Sequence, residues 1–514
     1  MTPEYFLAAG GLRLWQVLIF SSLWIVIGCF IAAIFRRMLG REKVCKIFAN
    51  DTRWGLLVGW LIGMLLPVCS LGVIPVVREL HRAGVNRGTI VAFGLTAPLF
   101  NPLSVLYGLT LSDPIAILSF SLCALVIVSL LGITWDRFLK VNLDESDSER
   151  LPPPGIKRSV AVFFSASKEV VGPALGYILI GILGSVLLAV LLPKGYLQNQ
   201  VLRDNLLAPV TVALVATPIY STPLLAMSQI GSMFQHGNSI GGAFSLLILG
   251  AGTNLGLLLW FGMTYGMRRV LIFYLLLMTT TVALAYAIDK PLYPKGVEPA
   301  GHSHAFDVYS NPFNPGEPEL MERALSKAQD FWMSNEFGGT YLLAAMLLLG
   351  LSFIALSRFI NIGEWLLTED TSKNRLNREV PGWVLGLTVV TGLIVASVMG
   401  CYLYYPAPNE MLADMRIVNS EAVLCSRTKD WDAAEKWIAF SDDMSRRLEV
   451  GVFLRNGSVG EFQSSKAKLY REKLDKLKAA VDSREFEEIW DLSMDVNNTY
   501  RQMSQSFKGE NEYD

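Results

Sequence analysis

Prolines set inside apolar runs constrain this chain more than any other feature. Residues 67–102 read PVCSLGVIPVVRELHRAGVNRGTIVAFGLTAPLFNP and hold four prolines, Pro67, Pro75, Pro98 and Pro102. A proline inside a helix removes a backbone donor and clashes with the preceding turn. In hydrocarbon, freed backbone groups must find partners, so broken backbone survives at membrane depth only when protein covers it or it lines a cavity. Broken helices near the midplane are how secondary transporters build a site.

The stretch recurs. Residues 218–254 read PIYSTPLLAMSQIGSMFQHGNSIGGAFSLLILGAGTN. Gly84, Gly88 and Asn101 map onto Gly237, Gly241 and Asn254 at a constant offset of 153, and Pro67 and Ser70 map onto Pro218 and Ser221 at 151. Each copy has an apolar run broken at Pro-x-x-Ser, a short polar turn ending in Gly, and an apolar run with a polar break at Asn. The pattern reads as an internal duplication.

Composition places the chain in a membrane. It is 52% hydrophobic and 17% charged, against about 25% charged in soluble domains, and its apolar residues cluster in long runs. A net charge of −1 gives no electrostatic case for nucleic acid. The six cysteines (Cys29, Cys45, Cys69, Cys123, Cys401, Cys425) have no CxxC spacing and no disulfide framework.

The first apolar run, 14–35, is too long for a signal-peptide core and reads as a retained span. The basic loop after it (Arg36, Arg37, Arg41, Lys43, Lys46, Arg53) is cytoplasmic by the positive-inside rule. The next run, 55–77, carries Gly55, Gly59 and Gly63 on one helix face, which permits close helix approach. If that run crosses fully, the loops carry 10 Lys and Arg inside and 9 outside; if it dips in and returns, they carry 17 inside and 2 outside. The re-entrant topology therefore wins. A unit with a re-entrant hairpin crosses an odd number of times, so the second copy is inverted.

The expected fold is an all-α polytopic membrane protein. Its first repeat, 1–134, holds a helix (14–35), a re-entrant hairpin (55–77), a broken helix (89–110) and a helix (114–134). A polar, proline-stiffened cytoplasmic linker follows at 135–169. The second repeat, 170–288, holds a helix (170–192), a hairpin (205–226), a broken helix (240–262) and a helix (270–288). His236 is expected to be solvated in a turn. An extracytoplasmic loop at 289–338 carries His302 and His304, read as solvated because no third metal ligand accompanies them. Two additional transmembrane helices occupy 339–404. A soluble helical tail, 405–514, has apolar residues at helical spacing over 430–454 and 465–507, including Trp431, Ala434, Trp437, Ile438, Leu469, Leu474, Leu477, Val481, Phe486, Ile489 and Trp490. That stripe reads as core.

Enzyme readings fare poorly. No His/Glu metal cluster, phosphate-cradling Gly loop or Ser-His-Asp context is present, and no cofactor is implied. The central runs hold almost no ionisable residue of the kind that marks intramembrane chemistry. A site must be built from backbone, hydroxyls and amides near the breaks: Cys69, Ser70, Asn101, Tyr220, Ser221, Thr222, Thr253 and Asn254. Helix N-termini there favour an anionic or dipolar group. Cys69 adds a polarizable sulfur suited to a thiophilic solute, although a buried thiol is as often inert. For Asn101 and Asn254 the competing reading is that each amide only satisfies broken backbone.

The first motif resembles the first half-motif of the bacterial predicted-permease family that includes organoarsenical efflux permeases, and IYSTPLLAMSQIGSMFQHGNSIGGAFSLLILGAGTNL is similar to the second. The resemblance covers roughly 14–288. It implies the fold and a permease role for Pro67, Cys69, Ser70, Gly72, Asn101 and Asn254. The family's first motif has Pro-x-Cys-Ser-Cys-Gly, where this chain has Leu71, and its second has a cysteine where this chain has Tyr220. Recognition of trivalent arsenic by paired thiols therefore does not carry over.

Together these readings give an inner-membrane permease, a secondary transporter exporting a small solute. The alternative is a non-transporting receptor or assembly scaffold acting through its tail. The partners implied are a small-molecule substrate and the lipid bilayer. A protein partner for the tail and a homo-oligomer both stay open.

Overall fold

The computed structural model describes residues 3–49, 54–138, 151–153, 155–294, 297, 299, 305–332, 337–356 and 382–508. All regular elements among the described residues are helical. The chain divides into two compact units: Met1–Ser104 with Ile115–Thr388, and Val105–Pro114 with Val389–Asp514.

The first unit opens with α1 (Pro3–Ile34), which runs through a π-helical turn, Phe35–Leu39, into α2 (Gly40–Ile47). It is longer at its start than the apolar run suggests. Two broken pairs follow. α3 (Gly55–Leu65) and α4 (Val73–Ala83) flank one break, and α5 (Arg87–Thr96) and α6 (Pro102–Leu111) flank the next. A continuous helix, α7 (Pro114–Phe138), closes the set.

The same order then returns. α9 (Ala174–Leu191) is continuous. α10 (Ala208–Ala216) and α11 (Pro223–Gln235) flank a break. α12 (Ile240–Ser245) with its π-helical extension Leu246–Ala251 is bent by 57° from α13 (Leu255–Tyr265), and α14 (Met267–Asp289) is continuous. Five described helices are long and apolar enough to cross a membrane, or six if the bent pair counts as one span.

Local chemistry explains these elements. Pro102 and Pro223 open α6 and α11, where a missing N–H costs nothing and a fixed φ suits the first turn. Gly84 (φ 85°) and Gly237 (φ 60°) turn the chain through the left-handed region after α4 and α11. The 153 offset thus pairs two residues doing one job. Gly55, Gly59 and Gly63 lie on one buried face of α3; a Cβ on Gly59 would stand 2.9 Å from the Thr89 carbonyl oxygen, so α3 and α5 pack backbone to backbone. α7 keeps Leu118, Leu122, Val126, Leu130 and Ile133 exposed, a stripe suited to lipid.

Three expectations need correction. The segment read as a linker contains α8 (Ile156–Val170), which packs on α1 and α16 (Phe337–Leu356). Glu169 of α8 forms an ion pair with Arg78 of α4; burial pushes its carboxyl above the usual range, and Arg78 opposes that. The polar stretch after α14 is not wholly solvated. Phe306, Tyr309 and Phe313 are buried, and α15 (Leu320–Trp332) packs on α1. His302 and His304 lie outside the described residues. His236 is half-buried, its Nδ1 2.8 Å from the Ser232 carbonyl.

The second unit holds Val105–Pro114, which takes most of α6, Gly382–Tyr404 from Val389 onward, and four tail helices, Pro408–Thr428, Trp431–Asn456, Glu461–Ser483 and Phe486–Lys508. The first tail helix was not legible as one, and the expected 465–507 helix is two, divided at Arg484 (φ 60°). Each tail helix packs on its sequence neighbours and the last packs on the first, giving an up-and-down bundle. Ala434, Ile438, Leu474, Leu477, Val481 and Ile489 are core as expected. Trp490 and Phe486 are not; they are 54% and 38% exposed, under Arg427 and Lys429 respectively. Helical spacing placed them one face off, because cationic side chains cover their rings.

Candidate functional site

The four breaks are buried and meet inside the first unit. Residues 68–77, 94–101, 219–223 and 240–254 are buried without interruption. Three contacts tie the breaks together. Asn254 Nδ2 donates to the Ser70 carbonyl at 2.6 Å. A Cβ on Gly252 would sit 3.0 Å from Leu99. The Tyr220 side chain stands beside Cys69. Polar breaks at this depth must satisfy one another, because lipid offers no partner.

Most of the expected polar atoms are taken up by backbone. Asn254 Oδ1 caps α13 by accepting from Leu257 N at 2.8 Å. Asn101 Oδ1 caps α6 by accepting from Ser104 N at 2.8 Å. Thr222 Oγ1 caps α11 by accepting from Leu225 N at 3.1 Å. Thr253 Oγ1 donates to Leu249 O at 2.7 Å, and Ser221 Oγ to Thr222 O at 3.2 Å. Cys69 Sγ, fully buried, accepts from Gly72 N at 3.3 Å. Gly72 itself is a packing residue. A Cβ on Gly28 of α1 would fall on its carbonyl oxygen, so α1 crosses the first break at backbone contact.

Two donors of the expected set are left over. Ser70 Oγ and Asn101 Nδ2 are buried with no hydrogen-bond partner. Leaving a buried donor unmade costs about 1–3 kcal/mol, and such a group marks a place where a bound molecule or water belongs.

A separate cavity opens beside the third break, between α10 and α11. It is small, with about 20 Å³ of room for a water-sized group, partly open to solvent, and lined by Arg13, Gln16, Ser185, Tyr220, Thr222 and Tyr309 among others. Tyr220 and Thr222 alone of the expected residues line it. Ser185 Oγ accepts from Tyr220 N at 3.1 Å. Arg13 is held by Gln16 Oε1 at 2.6 Å and by the carbonyls of Asp307 and Ser310 at 3.0 and 2.6 Å. Tyr309, from the segment after α14, donates its hydroxyl to Gln229 Oε1 at 2.7 Å, beside Ser221.

Sequence reasoning missed Arg13, Gln16, Gln229 and Tyr309. Arg13 lay one residue before the apolar run taken as the first helix, and Tyr309 lay in a stretch read as solvated. It also missed Asp136 and Asp289, which the 153 offset pairs and whose roles match. Gly88 N donates to Asp136 Oδ1 at 2.8 Å, and Gly241 N donates to Asp289 Oδ1 at 2.6 Å. Extending the alignment to the last helix of each copy reveals the pair. Among the described residues no group of three His, Cys, Asp or Glu side chains is placed to hold a metal ion.

The geometry can now be set beside known proteins. A model of the predicted permease family matches residues 14–290, which takes in every break, α1 from Leu14 onward and α2 to α14, but not the tail. UPF0718 protein YcgR of Bacillus subtilis (strain 168) is 35% identical over 88 residues, 17% of this chain and 30% of that protein. The chain thus aligns with less than a third of that relative. No solved structure matches. The apolar helices and the family model together make this an integral membrane protein. The model covers more than half of the residues, and the chain belongs to the predicted permease family.

Proposed function

We propose that the protein is a secondary transporter of the bacterial inner membrane that exports a small solute bearing hydrogen-bond acceptors, at a midplane site formed by the four breaks. The observation that carries this reading is the pair of unpartnered buried donors, Ser70 Oγ and Asn101 Nδ2, among breaks where other polar atoms are used up. A carboxylate, oxyanion or carbonyl oxygen satisfies both donors. Cys69 lies one residue away and supplies a soft contact if the solute is thiophilic.

The two sets of elements act as inverted repeats in this reading. The matched glycine turns, asparagine caps and aspartate caps support the duplication, and the distribution of Lys and Arg supports the inversion.

The test is uptake into everted membrane vesicles, with a panel of radiolabelled monovalent organic anions and a trivalent methylarsenical. Export predicts ATP- or gradient-dependent accumulation of at least one probe. Accumulation should fall at least tenfold in Asn101→Ala and in Ser70→Ala. Undiminished accumulation in both variants contradicts the site.

A second reading has one observation in its favour. The tail bundle lies wholly outside the family match and has its own core. A receptor or scaffold role through that bundle predicts that both variants keep full function in the cell.

A further inference from the structure

Asn101 and Asn254 occupy equivalent positions and do the same capping work, yet their amides end differently. Each is buried, at 1% and 0% exposure. Each Oδ1 accepts from the backbone three residues on, at 2.8 Å in both cases. Asn254 Nδ2 then reaches across to the Ser70 carbonyl of the other copy, and Asn101 Nδ2 reaches nothing. Ser70 corresponds to Ser221 at the 151 offset. The partner that the repeat provides for Asn101 Nδ2 is therefore the Ser221 carbonyl, and that bond is not made.

A second asymmetry accompanies the first at the side chain of Ser221. Tyr309 comes from a segment that follows the second copy and has no counterpart in the first. Its hydroxyl sits between Gln229 Oε1 and Ser221. One break is thus clamped by an asparagine of the other copy, while its equivalent is occupied by a tyrosine from outside the repeats. The π-helical turn Leu246–Ala251 lies immediately before the clamping Asn254. Such turns carry a misfit in the helical ladder and often stand at functional positions.

We infer that the Asn254–Ser70 and Asn101–Ser221 hydrogen bonds are alternative latches, made one at a time, and that their exchange moves the broken helices between two states. This inference rests on the permease reading for its purpose and on the hydrogen bonds above for its geometry. In the observed state the first latch is closed and Tyr309 holds the third break at Ser221. In the other state Tyr309 withdraws, Asn101 Nδ2 bonds the Ser221 carbonyl, and Asn254 Nδ2 is released. A bistable element of this kind is what alternating access between inverted repeats requires.

Cross-linking tests the exchange without needing a solute. The full-length protein, with its six cysteines replaced, is reconstituted in liposomes carrying cysteine pairs beside the latches that leave both amides intact, either Leu71→Cys with Thr253→Cys or the equivalent Thr222→Cys with Phe100→Cys. A short bis-methanethiosulfonate is added and the products are read by mass spectrometry. The first pair should link rapidly and the second about tenfold more slowly. Tyr309→Phe should accelerate the second pair several-fold, because it removes the hydroxyl beside Ser221. Adding Asn254→Ser to the second pair should do the same; serine keeps the helix cap and lacks the amide donor. If that variant fails to fold, the tyrosine variant alone decides. A second pair that never links, or whose rate neither substitution changes, overturns the latch. Pairs that exchange in a protein that moves no probe would leave the latch standing and overturn the permease reading instead.

Discussion

Asp289 Oδ1 accepts a 2.6 Å hydrogen bond from the amide of Gly241, at the first turn of α12. Asp136 does the same for Gly88 at the first turn of α5, at 2.8 Å. In both places an acidic side chain from the last helix of a copy caps the N-terminus of the second broken helix. There the helix dipole and an unsatisfied N–H both favour negative charge. Asp136→Ala and Asp289→Ala should each lower stability by about 1.5–3 kcal/mol, the range for a hydrogen bond to a charged group. Thermal unfolding of purified protein in detergent checks this. Equivalent roles predict similar losses; no change in either variant would contradict the pairing.

Gly28 makes one of the two closest backbone approaches among the described glycines of the first unit. A methyl group there would fall on the Gly72 carbonyl oxygen at the first break. Backbone cannot yield as a side chain can, so Gly28→Ala should destabilise by about 1–3 kcal/mol, as overpacking does. Gly11 lies on the same helix with nothing within 4 Å of its added Cβ. Gly11→Ala should therefore leave yield and thermal midpoint unchanged. Expression yield and unfolding of the two variants side by side settle it.

The segment after α14 is held by specific bonds. Tyr309→Phe leaves Gln229 Oε1 without its donor, and Gln229 Nε2 is already unpartnered. The loss should be about 1–3 kcal/mol, felt locally. Hydrogen exchange should rise several-fold over residues 305–313 and stay unchanged in α7. Uniform protection in both proteins would show that the hydroxyl does not anchor the segment.

In the tail, Arg471 and Glu449 form an ion pair of 2.6 Å with side chains only 3% and 2% exposed. Arg471 also donates to Ser445 Oγ at 3.2 Å. Removing one member of a buried pair strands the other charge and costs about 3–5 kcal/mol. Glu449→Ala should thus unfold or loosen the bundle, with exchange lost across Trp431–Asn456 and Glu461–Ser483. Replacing both residues by leucine and methionine should recover most of that stability, because it removes the stranded charge.

The breaks were legible in sequence because proline and glycine act locally. Pro102 and Pro223 each begin a helix, and Gly84 and Gly237 each end one, as their chemistry requires. Asn101 and Asn254 were marked for the same reason, since a polar residue in an apolar run must find work. What that work would be was not legible. One amide bonds a carbonyl 184 positions away and the other bonds nothing, and no local pattern encodes that difference. α8 was hidden by the polar sequence around it, although its amphipathic pattern ties it to α1 and α16. Tyr309 and Arg13 were missed because composition describes a segment's average. One buried tyrosine in a polar stretch, or one arginine at the edge of an apolar run, leaves that average unchanged.

The central claim is that a solute path runs through the breaks, and Cys69 tests it most directly. It is fully buried beside Tyr220, one residue from the unpartnered hydroxyl of Ser70. With the other five cysteines replaced, an impermeant thiol reagent would be applied to right-side-out and to everted vesicles. The account predicts slow labelling that differs between the two faces and is blocked by a transported probe. No labelling from either face, in protein that a denaturant then renders fully reactive, would contradict it and leave Cys69 as packed core.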